Sequence, residues 1–429
     1  MKSPNYMTAL EAAGAIEAGT LTCQALVRAC LERIEQRNAE VLAFTAVNPE
    51  LALDQARMAD RSTPTGLLHG VPFAVKDVIE TTEYDTTYGS PIYAGYRPRT
   101  DASCVVLARE QGAVLLGKVD TSEFATQSPS ATRNPLCLDR TPGGSSSGSA
   151  AAVADFMVPV AFGTQTTGSI VRPAAYCGVV GYKPSFGLIG AAGLKMLSPS
   201  QDTVGVLARD VADAAFFSFG LHGATWLANT GQRPHIGVCQ SRQWSHACVE
   251  MIEAIERLAA RLERAGATVS RIQLPAELEE IADMQPRLFA YEARQSLAHE
   301  RVHFSDRFTP RLQARLDGGL GIGLPEYLEM RRRAARARNR VASLFENVDA
   351  LLYPAAEGEA ELGLKDSGSP RFGALWTMLH LPCISFPIGR GPAGMPLGAQ
   401  LIGAYAEDQK LLTVADFVST MVAFDRPVP

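Results

Sequence analysis

The sequence predicts an α/β sandwich, on three observations. Strand-like and helix-like segments alternate along most of the chain. The runs "VPFAVKDVI" (71–79) and "VLLGK" (114–118) are apolar on both faces, as strands covered by helices on either side must be. A chain of 429 residues, 46% of them hydrophobic and 20% charged, suits one large globular domain or two to three ordinary ones and is not a disordered composition.

Each element has its own signal. Segment 8–37 places apolar residues at helical spacing and reads as two amphipathic helices. The run at 71–79 reads as a central strand. "DASCVVLAREQGA" reads as a helix capped by Asp101, followed by the strand 114–118. The stretch "TPGGSSSGSAAAVADF" (141–156) is a Gly/Ser loop leading into a short helix from about Ser146 to Phe156, and "MVPVAFG" is the strand after it. "HIGVC" (235–239), "HACVEMIEAIERLAARLERAGA" and "TVSRIQLP" repeat strand, helix, strand. Segment 277–347 is mostly helical. "ALLYPA", "CISFPIG" and "PLGAQLIG" supply further strands, and "DQKLLTVADFVSTMVAF" a closing helix. No internal repeat and no long polar linker interrupts this order. The expectation is one domain over 1–429, with a mostly helical, more variable region at about 245–347.

Bulk properties exclude several classes. A net charge of −5 gives no reason to expect a nucleic-acid partner. No apolar run reaches the roughly 18 residues of a membrane span, and the first residues lack a signal-peptide core, so a cytoplasmic location is expected. The eight cysteines form no C-x-x-C pair and no zinc spacing, and read as buried thiols. No metal or cofactor is expected. "RRRAARARNR" (331–340) holds six arginines. Arg332, Arg336 and Arg340 share a helix face, with Ala335, Ala337 and Leu344 facing inward; this reads as a solvated face paired with acids rather than an RNA patch.

The loop 141–156 admits three readings: a linker, an anion-binding helix start, or the housing of a catalytic serine. A P-loop requires a lysine that "GGSSSGSA" lacks. The stretch "GTQTTGSIVRPA" (163–174) puts Gly168-Ser169 after a buried strand, where small residues permit a tight turn. Backbone N–H groups of Thr166, Thr167, Gly168 and Ser169 can form an oxyanion hole there, which makes Ser169 a candidate nucleophile. It needs a base. The histidines at 69, 222, 235, 246, 299, 303 and 380 stand in no catalytic motif, His69 reading as packing at a strand entrance, and G-x-S-x-G is absent. Lys76, near the end of an apolar strand, is the remaining candidate, because desolvation lowers a lysine pKa.

These residues resemble the amidase signature family. The similarity is carried by "GVPFAVKD" (70–77), "TRNPLCLDRTPGGSSSGSAAAVA" (132–154), "GTQTTGSIVRPAAYCGVVGYKPS" (163–185), "SQDTVGVLARDVADAA" (200–215) and "MPLGAQLIG" (395–403). The resemblance implies an α/β/α sandwich around a large mixed, twisted β-sheet. It also implies a Ser–cisSer–Lys triad of Ser169, Ser145 and Lys76, with no metal or cofactor and with Asp202 as structural support. Most of the family reads T-D-x-G-G-S-I-R-x-P-A. Here Gln165 stands for the aspartate, Thr167 for a glycine, and the arginine falls at Arg172. Gln165 and Arg172 together resemble the malonamidase branch, whose substrates are small acid amides. The implied activity is hydrolysis of a small-molecule amide through an acyl-enzyme. Arg172 would either clamp a substrate carboxylate or tie loops together. The expected partners are that substrate and at most a second copy, as a homodimer. Alternatives are the glutaminyl amidotransferase component of a tRNA-dependent complex, an ester- or carbamate-cleaving relative, or a phosphate- or nucleotide-binding module.

Overall fold

The runs that are apolar on both faces become interior strands of one mixed, eleven-stranded sheet. The computed structural model describes residues 3–227, 233–422 and 424; the ends of the expected 1–429 domain lie outside the described residues. The strands are β1 (Phe44–Val47), β2 (Pro72–Lys76), β3 (Val114–Val119), β4 (Val160–Gln165), β5 (Val180–Lys183), β6 (Thr203–Ala208), β7 (His235–Gln240), β8 (Thr268–Gln273), β9 (Ala350–Pro354), β10 (Cys383–Arg390) and β11 (Pro396–Ile402). Their order across the sheet is β1-β3-β2-β4-β6-β5-β10-β11-β9-β7-β8. β2 pairs parallel with both β3 and β4. β10 and β11 form an antiparallel hairpin.

Strand periodicity sorts the core into two layers. Phe73, Val75 and Phe162 face one side, where Phe217 of the helix Val211–Gly220 meets them. Ala74, Leu116 and Ala161 face the other, against the helices Cys23–Val41 and Ser147–Ala154. All eight residues of Ser147–Ala154 are buried and none is larger than valine, so this helix can lie close to the sheet.

Several local expectations need correction. The helix expected to start at Asp101 runs Ser103–Glu110, with Ala102 at its N-cap and no side-chain cap. Asp101 instead accepts hydrogen bonds from Thr82 N (2.7 Å) and Thr82 Oγ1 (3.0 Å), stitching two loops together. The short helix after the Gly/Ser loop spans Ser147–Ala154 rather than 146–156. Along the helix Leu324–Arg340, the buried positions are Met330, Ala334 and Ala337, and Ala335 faces solvent. Five of its six arginines pair with acids: Arg332 and Arg336 with Glu329 (3.1 and 2.7 Å), Arg333 with Glu280 (3.0 Å), Arg331 with Glu292 (3.3 Å) and Arg340 with Glu277, while Arg338 donates to Met378 O. β1, β5 and β6 are strands that the sequence pattern does not announce. β1 and β5 have only four residues each. β6 carries an interior glycine, Gly205, where a Cβ would meet Tyr182 O at 2.3 Å.

Candidate active site

Parallel alignment puts the carboxyl ends of β2 and β4 side by side, the usual place for a site in such sheets. Lys76 is the last residue of β2 and is fully buried. Its Nζ donates to Ser145 Oγ at 2.7 Å and to Thr164 Oγ1 at 2.8 Å. Burial holds the Lys76 pKa well below the ordinary lysine range; Asp202 opposes that shift and Arg172 reinforces it.

The Gly/Ser loop presents Ser145 to this amine. The Gly144–Ser145 peptide bond is cis. Gly143 has φ +79°, and a Cβ there would meet Pro173 Cα at 2.9 Å, so glycine is required. The neighbouring serines do not cap the helix that follows. Ser146 Oγ donates to Thr164 O (3.2 Å), Ser149 Oγ to Phe162 O (3.0 Å) and Ser147 Oγ to Gly143 O (2.8 Å). Three hydroxyls therefore sew the loop to β4 and to itself, and the fourth meets Lys76.

Ser169 is brought to the same place through the backbone, since Ser146 N donates to Ser169 O at 3.3 Å. Gln165 shapes the turn that carries it. Gln165 Oε1 accepts from Ile170 N (2.8 Å) and Val171 N (3.1 Å), and Nε2 donates to Thr377 Oγ1 (2.9 Å). A carboxamide here satisfies two free N–H groups at the start of the helix Val171–Cys177. Thr377 Oγ1 in turn donates to Thr167 O at 3.1 Å. Among the described residues the N–H groups of Thr167, Gly168 and Ser169 take no protein acceptor. They line up before the serine as an anion nest would. Thr166 Oγ1 donates to Asp202, whose carboxylate also accepts from Leu197 N (2.6 Å) and Ser198 N (2.9 Å). Burial pushes the Asp202 pKa up to about 6, against the pull of these bonds.

Arg172 is fully buried beneath this loop, and burial lowers its pKa to about 10. Nη2 donates to Gly144 O at 2.5 Å and to Ser367 Oγ at 3.5 Å. Nε and Nη1 have no protein partner among the described residues. Its one close contact therefore holds the carbonyl next to the cis bond.

A cavity of about 360 Å³ reaches the turn at Thr167. Its wall includes Gln285, Pro370, Arg371 and Arg315. Arg371 is paired with Glu357 at 2.6 Å. Arg315 makes no ion pair among the described residues; its guanidinium lies 4.6 Å from the centre of the Phe289 ring, and burial lowers its pKa. Sequence reasoning missed Thr164, Gln285, Arg315 and Thr377. Thr164 sits inside the quoted motif, one residue before Gln165. Nothing local marks Arg315 among the other arginines of the helical region.

Larger grooves between the helices Ala276–Ser296 and Leu324–Arg340 are lined by charged side chains and hold none of the motif residues. Among the described residues no group of three or more His, Cys, Asp or Glu could hold a metal, and no helix is long and apolar enough to cross a membrane.

Comparison with known proteins agrees with the fold. The amidase family model matches residues 25–412. The A-type component of glutamyl-tRNA(Gln) amidotransferase from Oleidesulfovibrio alaskensis is 33% identical, the alignment covering 95% of this chain and 96% of that one. A crystal structure of an amidase superposes with a TM-score of 0.89 at 31% identity, over 97% of this chain and all of the other (100%). The native peptide amidase of Stenotrophomonas maltophilia superposes with a TM-score of 0.84 at 29% identity, over 99% and 98% of the two chains.

Proposed function

We propose that this chain, which belongs to the amidase family, hydrolyses a small carboxamide whose acyl group ends in an anion, through a relay of Lys76, Ser145 and Ser169. The observation that carries this reading is a fully buried lysine, its pKa held well below the ordinary lysine range by desolvation, hydrogen-bonded at 2.7 Å to Ser145 of the Gly/Ser loop. Neutral Lys76 takes the proton of Ser145 as Ser145 takes that of Ser169. Ser169 Oγ attacks the amide carbonyl. The N–H groups of Thr166, Thr167, Gly168 and Ser169 receive the oxyanion. The proton then returns through the relay to the leaving nitrogen, and water hydrolyses the acyl-enzyme.

Arg315 supports the anionic end of the substrate. A guanidinium at a cavity wall without a carboxylate is short of a partner, and a substrate carboxylate supplies one with two parallel bonds. In this reading Arg172 serves the loop through Gly144 O, and the carboxylate clamp falls to Arg315. Monoamides of small dicarboxylic acids fit such a site; the malonamidase-like assignment rests on Gln165, Arg172 and the motifs around them, and the relatives found are amidotransferase components and other amidases.

A second reading follows from the amidotransferase relatives: the same relay would release ammonia from a carboxylated amide for use by a partner protein. An ammonia-release screen over neutral amides, monoamides of dicarboxylic acids and glutamine tests both. Turnover of amide acids by the purified chain alone supports hydrolysis. Activity that appears only on glutamine, and only with a partner added, supports the amidotransferase. No turnover of any amide under either condition overturns both.

A further inference from the structure

Thr167 stands where the family pattern has a glycine, and its hydroxyl is held at the cavity wall by a hydrogen-bond chain with a fixed direction. The chain begins at Glu292. Its carboxylate is ion-paired with Arg331 (3.3 Å) and accepts from Tyr327 OH (3.0 Å), so toward Ser198 and Ser200 it acts as an acceptor. Ser198 Oγ therefore donates to Glu292 (2.5 Å), and its lone pair receives Gln201 Nε2 at 2.7 Å. That turns Gln201 Oε1 toward Gln285, which donates to it from Nε2 at 3.0 Å. The same Nε2 donates its second hydrogen to Thr167 Oγ1 at 3.2 Å. Both hydrogens of Gln285 are thereby used, and Thr167 Oγ1 is fixed as an acceptor toward the protein.

The hydroxyl hydrogen of Thr167 is left over. Among the described residues no protein group accepts it, and Gln285 Oε1 takes no protein donor. Both side chains line the cavity, two residues from the nucleophile in one case. A donor and an acceptor thus stand near each other at the cavity wall, on the turn that carries Ser169 and on the helix facing it. A substrate hydroxyl, which accepts and donates, satisfies both.

We infer that Thr167 and Gln285 select an acyl group carrying a hydroxyl on the carbon next to the scissile amide. The inference rests on the reading of Ser169 as nucleophile and names the substrate class for that site. Thr167 donates to the substrate oxygen, and Gln285 Oε1 accepts its hydrogen.

Two probes test it: succinamate, and succinamate with a hydroxyl on the carbon beside the amide. Wild type should favour the hydroxylated probe in kcat/KM, mainly through KM. Thr167→Val, which keeps the shape and removes the hydroxyl, should reduce that preference about tenfold. Thr167→Ser should restore most of it. The preference is a ratio within each variant, so partial misfolding does not mimic the loss. Calorimetric binding of both probes to Ser169→Ala, with and without Thr167→Val, reads the same ratio when nothing is turned over and so separates this inference from the reaction assignment. An unchanged preference in Thr167→Val, equal losses on both probes, no recovery in Thr167→Ser, or no binding of the hydroxylated probe overturns it.

Discussion

The two walls of the cavity are built from different materials. The wall that carries Thr167 continues into a buried cluster of backbone groups and hydroxyls. Ser145, Ser146, Ser147, Thr164, Thr166, Thr167 and Ser169 are all buried, and its one amine, on Lys76, is fully so. The facing wall comes from the helices Ala276–Ser296 and Pro310–Asp317 and carries Asp283, Gln285 and Arg315; beyond it the first of these helices bears exposed ion-paired side chains such as Arg287 with Glu326. The first wall has the desolvation and fixed dipoles that the proposed proton relay and its developing charge require. The second offers a guanidinium and a carboxamide, which suffice for the recognition proposed above.

Breaking the first wall should cost most. Lys76→Ala, Ser145→Ala and Ser169→Ala should each lower kcat on the order of 10⁴-fold with circular dichroism unchanged, and the triple variant should lose little more, because the three act as a unit. Near-normal turnover in any folded single variant would take that residue out of the relay.

Next in size is a contrast between two arginines. Arg315→Ala should reduce kcat/KM for a carboxylated amide by about 10- to 100-fold, the range of a lost charged hydrogen bond, and barely affect a neutral amide of similar size. Arg172→Ala should reduce both substrates alike, since it holds Gly144 O. A selective loss in Arg172→Ala instead would return the clamp to Arg172.

A smaller effect separates the walls by pH. The Lys76 pKa is depressed in the folded chain and ordinary, near 10.5, once unfolded. Between those values the unfolded chain binds the extra proton, so the lysine's cost to stability shrinks as pH rises through that window. Lys76→Met should therefore raise the melting temperature near neutrality, with the gain fading toward pH 10.5. In the wild type, the rate should rise with pH through the depressed Lys76 value. A constant Tm difference across that range would contradict a neutral lysine.

The smallest effect lies on the outer face of the second wall. Arg336→Ala removes an exposed contact with Glu329 and should leave Tm and kcat/KM unchanged within error, as surface pairs do. A clear loss of activity would give the arginine run a role beyond solvation.

The same division explains what could be read in advance. Lys76 was legible because a lysine at the end of an apolar strand conflicts with burial unless the site uses it. Ser169 was legible because small residues marked its turn, and Ser145 followed from the family resemblance. Gln285 and Arg315 were not, because each lies more than a hundred residues from the turn it faces, on amphipathic helices where a glutamine or arginine is unremarkable until packing brings it to the cavity. Asp101 misled for a related reason: it has the chemistry of a cap, but a loop from Thr82 reaches it first.

The serines that fasten the loop to β4 bear on how the molecule fails when heated. Ser146 and Ser149 bond to the carbonyls of Thr164 and Phe162 in an interior strand, not to a mobile surface segment. The loop cannot peel away while β4 remains paired on both sides with β2 and β6. It shares the opening free energy of the central sheet, not that of a frayed loop. Thermal inactivation and global unfolding should therefore coincide, and amide hydrogens of residues 145–149 should exchange no faster than those of β4 itself.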